Sequence, residues 1–115
     1  MGLTIDVLAK KTGARVLVRG RARSTEINDF HASDRMSDLL GRVSDTTMLI
    51  TPLLTVSVVR LIELMDVPGV CLVNNAEPGQ VLLDTAQEHR TTLLVSPFDM
   101  EETCRRFRAA LGLDT

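Results

Sequence analysis

The sequence predicts an α/β fold: a single-domain, three-layer sandwich over residues 1–115, with a mostly parallel sheet of about four to five strands flanked by helices. Three observations predict it. Three short apolar runs, MLITP at 48–52, VCLVNNAEP at 70–78 and LLVSPFD at 93–99, each stop at a polar, proline-containing turn. A stretch of helical period follows each turn. Strands alternating with helices of this length pair in parallel through right-handed crossovers. A chain of 115 residues with a 44% apolar fraction can bury a core of its own.

The elements follow in order. Thr4 is placed to cap a first helix with Ile5, Leu8 and Ala9 on one face, and Gly13 falls where a C′ glycine belongs. RVLVR at 15–19 reads as a short strand, and GRARSTEIN at 20–28 as a polar loop. Residues 27–32 alternate weakly and suit an edge strand. Asp34 opens a short helix, with Met36, Leu39 and Leu40 inward and Gly41 ending it. Residues 47–51 form a buried strand. After Pro52 comes the clearest helical stripe, Leu54, Val58, Leu61, Ile62 and Met65, with Arg60 and Glu63 off it. Pro68-Gly69 breaks the chain before a strand at 70–73. Pro78 sits where the first turn of a helix accepts proline, and Leu82, Ala86 and His89 line one side of that helix. The last strand is 92–95. Asp99 and Glu102 have capping-box spacing, and Met100, Cys104, Phe107 and Leu111 give the final helix its inner face.

Composition excludes several functions. With three Phe and no Trp or Tyr, the chain lacks the exposed rings that stack single-stranded nucleic acid. A net charge of −2 sets up no field toward DNA or anionic lipid. No apolar run approaches the ~20 residues of a membrane span. Asp6, Lys10 and Lys11 interrupt the start, so no signal peptide is expected and the cytoplasm is the expected compartment. There is no GxxxxGK[ST] loop, no GxGxxG and no GxSxG; both lysines, Lys10 and Lys11, fall in the first helix.

Ligands of open α/β sheets bind at the carboxyl ends of the strands, so the turns carry the candidate site. On a helix opening at Asp34, Asp34 and Asp38 lie one turn apart. Two carboxylates so placed hold a metal through water or act as acid and base. Capping by Ser33 or Asp34, with Asp38 solvated, accounts for the same residues. Ser37 belongs to this cluster. Thr51, Thr55 and Ser57 follow the next strand; with helix-start amides their hydroxyls suit a phosphate, or simply cap the chain around Pro52. Asn74, Asn75 and Glu77 form the second turn, where Asn reads a base or sugar or serves as a turn former. Ser96 with Asp99 closes the third turn, as ligand groups or, more simply, as caps of the following helix. Arg19, Arg21 and Arg23 alternate in one loop, which suits a phosphate clamp, an acidic partner or plain solvation. His31 and His89 lack metal spacing and read as surface or packing residues. Cys71 and Cys104 form no CxxC pattern and read as buried free thiols. No cofactor and no metal are called for.

FHASDRMSDLLGRV at 30–43, the strand LIT, the strand GVCLVNNAEP and the ending LLVSPFDMEETCRRF together resemble a DRTGG domain. The opening helix followed by ARVLVRG resembles the start of the stand-alone, hydrogenase-cluster-associated type. The family is similar to the N-terminal region of HPr kinase/phosphorylase. The resemblance implies a small α/β sandwich with a regulatory or ligand-sensing role, no established reaction, and self-association. The chain departs from the family at its glycines. Asn28-Asp29-Phe30 stands where members often carry Thr-Gly-Gly, and Asn74-Asn75 where they carry a second glycine pair. Members often place His and Asn where Thr55 and Ser57 fall.

The resulting expectation is a non-catalytic regulatory domain that binds a small, nucleotide- or phosphate-bearing ligand, or a protein partner, at the carboxyl edge. The ligand-binding residues expected are Asp34, Ser37, Asp38, Thr51, Thr55, Ser57, Asn74, Asn75, Glu77 and Ser96. Expected partners are a second copy in a homodimer and a hydrogenase-related or other protein, with no nucleic acid and no membrane. The alternatives are a structural or oligomerisation subunit acting through its surface, and a small metal-assisted enzyme using Asp34 and Asp38.

Overall fold

In the computed structural model, which describes residues 2–20, 25–53 and 55–113, the elements run β1 (Leu3–Thr4), α1 (Ile5–Thr12), β2 (Arg15–Val18), β3 (Glu26–Ile27), β4 (Asp29–Ala32), α2 (Met36–Leu40), β5 (Thr47–Thr51), α3 (Thr55–Leu64), β6 (Gly69–Leu72), α4 (Gln80–Glu88), β7 (Thr92–Val95) and α5 (Met100–Ala110). Five strands form one sheet in the order β2-β7-β6-β5-β4. β4 to β7 are parallel neighbours, and β2 lies antiparallel to β7 at the edge. The fold is therefore the α/β sandwich that the strand-turn-helix rhythm predicts.

The pleat of the sheet sets the layers, since alternate side chains point to opposite faces. Met48, Ile50, Cys71, Val73 and Leu94 pack on one side with Leu8 of α1 and Phe107 of α5. Leu49, Val70, Leu72, Leu93 and Val95 pack on the other with Leu39 of α2, Leu61 of α3 and Leu82 of α4. Both faces are covered, so the central strands read as unbroken apolar runs.

Several local expectations hold at atomic detail. Thr4 caps α1, its Oγ1 accepting from Val7 N at 3.4 Å. Gly13 ends that helix at φ 83°, a left-handed conformation that a Cβ would oppose. Asp99 Oδ1 accepts from Glu102 N at 2.8 Å. Glu102 does not reach back to complete the box. Its carboxylate accepts from Arg105 and Arg106, and these hydrogen bonds hold its pKa down to about 2.

Others are corrected. Helix α2 begins at Met36 with Arg35 at its N-cap, not at Asp34. Ser33 Oγ accepts from Arg35 N at 3.0 Å and bends the chain first. Pro78 lies outside α4, one residue before its N-cap, Gly79. Residues 27–32 are not one strand. Ile27 ends β3, which pairs with β1, and Asn28 N turns to Thr46 O at 2.9 Å before β4 joins the main sheet. His89 lies exposed beyond α4, which buries Leu82, Thr85 and Ala86 instead. Met65 lies exposed past the end of α3, and Leu54 is outside the described residues.

Candidate functional site

The strand order places four strand ends side by side along one edge, carrying Ser33-Asp34, Thr51, Asn74-Asn75 and Ser96. Three of them share a device. Ser33 Oγ accepts from Arg35 N at 3.0 Å, Thr51 Oγ1 from Leu53 N at 3.1 Å, and Ser96 Oγ from Phe98 N at 3.2 Å. In each case a hydroxyl at the strand end satisfies the amide two residues on and turns the chain off the sheet. Thr51 and Ser96 are buried, and Ser96 Oγ also bonds Thr103 Oγ1 at 2.7 Å. Their hydroxyls are occupied in holding the turns.

The end of β6 is built differently. Asn74 and Asn75 adopt φ of 60° and 53°. This left-handed region admits asparagine more readily than other residues with a Cβ, so the turn forms without glycine. Asn74 N donates to Phe98 O at 2.7 Å and Asn75 N to Ser96 O at 2.8 Å, which ties this turn to the next one. Both residues are exposed, as are Glu77, Asp34 and Ser37. Ser57 is half-buried in the first turn of α3, and the side chain of Thr55 lies outside the described residues.

The helical turn that was to set Asp34 beside Asp38 does not form, because α2 starts after Asp34. Asp38 Oδ2 lies 2.8 Å from His31 Nε2. The hydrogen bond from His31, with a second from Ser33, holds the Asp38 carboxyl below the usual carboxylate range. Arg42 Nε donates to His31 Nδ1 over a long 3.5 Å. With Nδ1 accepting from Arg42, the tautomer that fits both contacts donates from Nε2 to Asp38. His31 and Arg42 are the polar pair that sequence reasoning missed. The available signal was weak: Asp29 and His31 alternate onto one face of β4.

Arg19 is ion-paired with Asp6, while Arg21 and Arg23 lie outside the described residues. Cys71 and Cys104 are free thiols. Burial pushes the Cys71 thiol up to about 12 and also raises the half-buried Cys104. Among the described residues, no group of three or more His, Cys, Asp or Glu is placed to hold a metal ion, and no helix is long and apolar enough to cross a membrane.

The architecture is an α/β sandwich around a five-stranded, mostly parallel sheet. It is similar to the CBS and DRTGG domains of the regulatory region of Clostridium perfringens pyrophosphatase, solved in complex with an activator, diadenosine tetraphosphate. That match has a TM-score of 0.77 at 15% sequence identity, and it covers 94% of this chain and 47% of the other. The chain thus spans about half the length of the structure it matches, and at this identity the likeness is one of fold. No protein-family model matches the sequence, and no curated protein is similar to it.

Proposed function

We propose that the protein is a non-catalytic sensing domain that takes a small nucleotide- or phosphate-bearing ligand on its carboxyl rim. Asn74, Asn75 and Glu77 form the centre of that site, with Asp34 and Ser37 farther along the same edge, beyond the end of β5. The observation that carries this reading is the Asn74-Asn75 turn. Elsewhere on the rim the hydroxyls of Ser33, Thr51 and Ser96 are spent on neighbouring backbone. Here two amide side chains stand in solvent on a backbone tied down at 2.7 and 2.8 Å. A carboxamide donates and accepts, so a pair of them on a rigid turn suits a base edge, a ribose or a phosphate. The similar fold is a regulatory region solved with a nucleotide activator, which supports the same class of ligand. Calorimetric titration with AMP, ATP and diadenosine tetraphosphate tests it. Saturable binding to at least one, lost on replacing both asparagines with glycine, is expected. No heat at millimolar nucleotide would sink the reading.

A second reading, a subunit that acts through its surface as a homodimer or on a hydrogenase-related or other protein partner, draws on the face of α3 and α4. Val56 and Val81 are 72% and 66% exposed there, beside a groove of about 470 Å³. Exposed apolar patches of this kind favour association. Light scattering that finds a dimer at micromolar concentration, and a monomer after Val56→Lys, supports this reading; a strict monomer counts against it.

A further inference from the structure

The flank of β4 carries a second polar feature, separate from the rim. A cavity of about 350 Å³ opens between β4 and the segment that leads from α2 into β5, lined by Asp29, His31, Arg42, Ser44 and Thr47 among others. Charges of both signs line it. Asp29 and Arg42 form no ion pair with one another or with any other described residue. Each is nonetheless anchored. Thr47 Oγ1 donates to Asp29 Oδ1 at 2.7 Å. With that proton used, the 2.7 Å contact between Ser44 Oγ and Thr47 Oγ1 has Ser44 as donor, so the Ser44-Thr47-Asp29 chain runs in one direction. Arg42 Nε is held by His31 Nδ1, and the ring is held in turn by Asp38. Asp29 Oδ2 and the two terminal nitrogens of Arg42 remain without a partner among the described residues.

The charges therefore sort into spent and unspent. Asp38 is hydrogen-bonded to His31 and also acts on Arg42 through its charge. What the cavity presents without a hydrogen-bond partner among the described residues is one carboxylate oxygen of Asp29 and the guanidinium fork of Arg42. A bare anion meets Asp29, a bare cation meets Arg42, and a zwitterion of small size meets a partner at both ends. The volume lies at the small end of the range for ligand sites. We propose that this cavity binds a free α-amino acid, its carboxylate on the Arg42 fork and its ammonium on Asp29 Oδ2. The site is independent of the nucleotide rim, so the two readings stand or fall separately.

The test uses the full chain labelled with 15N and titrated with each of the twenty amino acids at millimolar concentration. The best ligand is then compared with its N-acetyl and methyl-ester derivatives and with inorganic phosphate. At least one free amino acid is expected to move the resonances of His31, Arg42 and Thr47 saturably. Blocking either end is expected to weaken binding at least about tenfold, the least that loss of a hydrogen bond to a charged group entails. Arg42→Gln and Asp29→Asn are expected to do the same while the spectra stay dispersed; asparagine keeps the oxygen that Thr47 uses. Nucleotide binding at the rim is expected to survive Arg42→Gln. Silence from all twenty amino acids, equal binding of the N-acetyl derivative, or saturation of the same resonances by phosphate alone overturns the proposal.

Discussion

Replacing Asn74 and Asn75 together with glycine, and separately with alanine, divides the work of this turn between backbone and side chain. Both residues sit near φ 60° and 53°. A residue with a Cβ and no short polar side chain costs about 1–2 kcal/mol in that conformation. Glycine enters it freely but loses more chain entropy on folding, by roughly 0.5–1 kcal/mol. Asparagine stands between them. The alanine pair is therefore expected to lose about 2 kcal/mol, and the glycine pair to stay within about 1 kcal/mol of the parent. In a domain of this size about 1 kcal/mol moves the melting midpoint by about 4 °C, so the alanine pair melts about 8 °C lower. Urea unfolding at 25 °C gives the free energies, and nucleotide titration of the same variants gives the second axis. Both pairs lack the carboxamides, so both are expected to lose the ligand, although only the alanine pair strains the turn. Equal stability of the alanine and glycine pairs would refute the conformational account. A glycine pair that still binds nucleotide would refute the role given to the side chains.

Gly20→Ala places a Cβ 2.3 Å from the carbonyl carbon of Arg90 and 2.4 Å from its oxygen, with backbone on the receiving side. A loss of about 1–3 kcal/mol or more in urea unfolding is expected, and an unchanged midpoint would contradict this packing. Ser96→Ala removes the acceptor of Phe98 N and the partner of the buried Thr103 hydroxyl. It is expected to cost about 1–3 kcal/mol, with part recovered when Thr103→Val is added. Glu102 has its pKa lowered from 4.5 to about 2 by Arg105 and Arg106. Its contribution is therefore fully present above about pH 4.5 and disappears as pH falls toward about 2. Glu102→Gln is expected to flatten the acid limb of the stability profile in that window, and to do so less at high salt, because the group is exposed.

The central strands were the most legible part of the sequence. Residues 47–51 and 92–95 form strands at those bounds because apolar runs closed by Ser/Thr-Pro turns leave little alternative. The edge was harder to read. β2 pairs antiparallel with β7 and shifts register between Val16 and Val18, and nothing in RVLVR encodes either property. The split between β3 and β4 depends on Thr46, eighteen residues from Asn28, accepting the Asn28 amide. Helix starts slipped for local reasons: Ser33 outcompeted Asp34 for the bend, and Gly79 displaced Pro78 from the first turn. Of the expected site, the asparagine turn and its left-handed backbone were readable, because that residue type is the usual substitute for glycine there. Capping at Thr51 and Ser96 was one of the readings the sequence offered and is what the turns show; it could not be separated from ligand binding, since both ask for the same hydroxyl. The cluster of His31, Asp38 and Arg42 was invisible because it is assembled across β4, α2 and the following segment.

Titration of the 15N-labelled protein with diadenosine tetraphosphate tests the sensing role most directly. The account predicts saturable shifts centred on the backbone and side-chain amides of Asn74 and Asn75, extending to Glu77 and Ser37. A spectrum that diadenosine tetraphosphate, AMP and ATP all leave unmoved at millimolar concentration, or shifts confined to the opposite edge of the sheet around Thr47, Gly69 and Thr92, would contradict it.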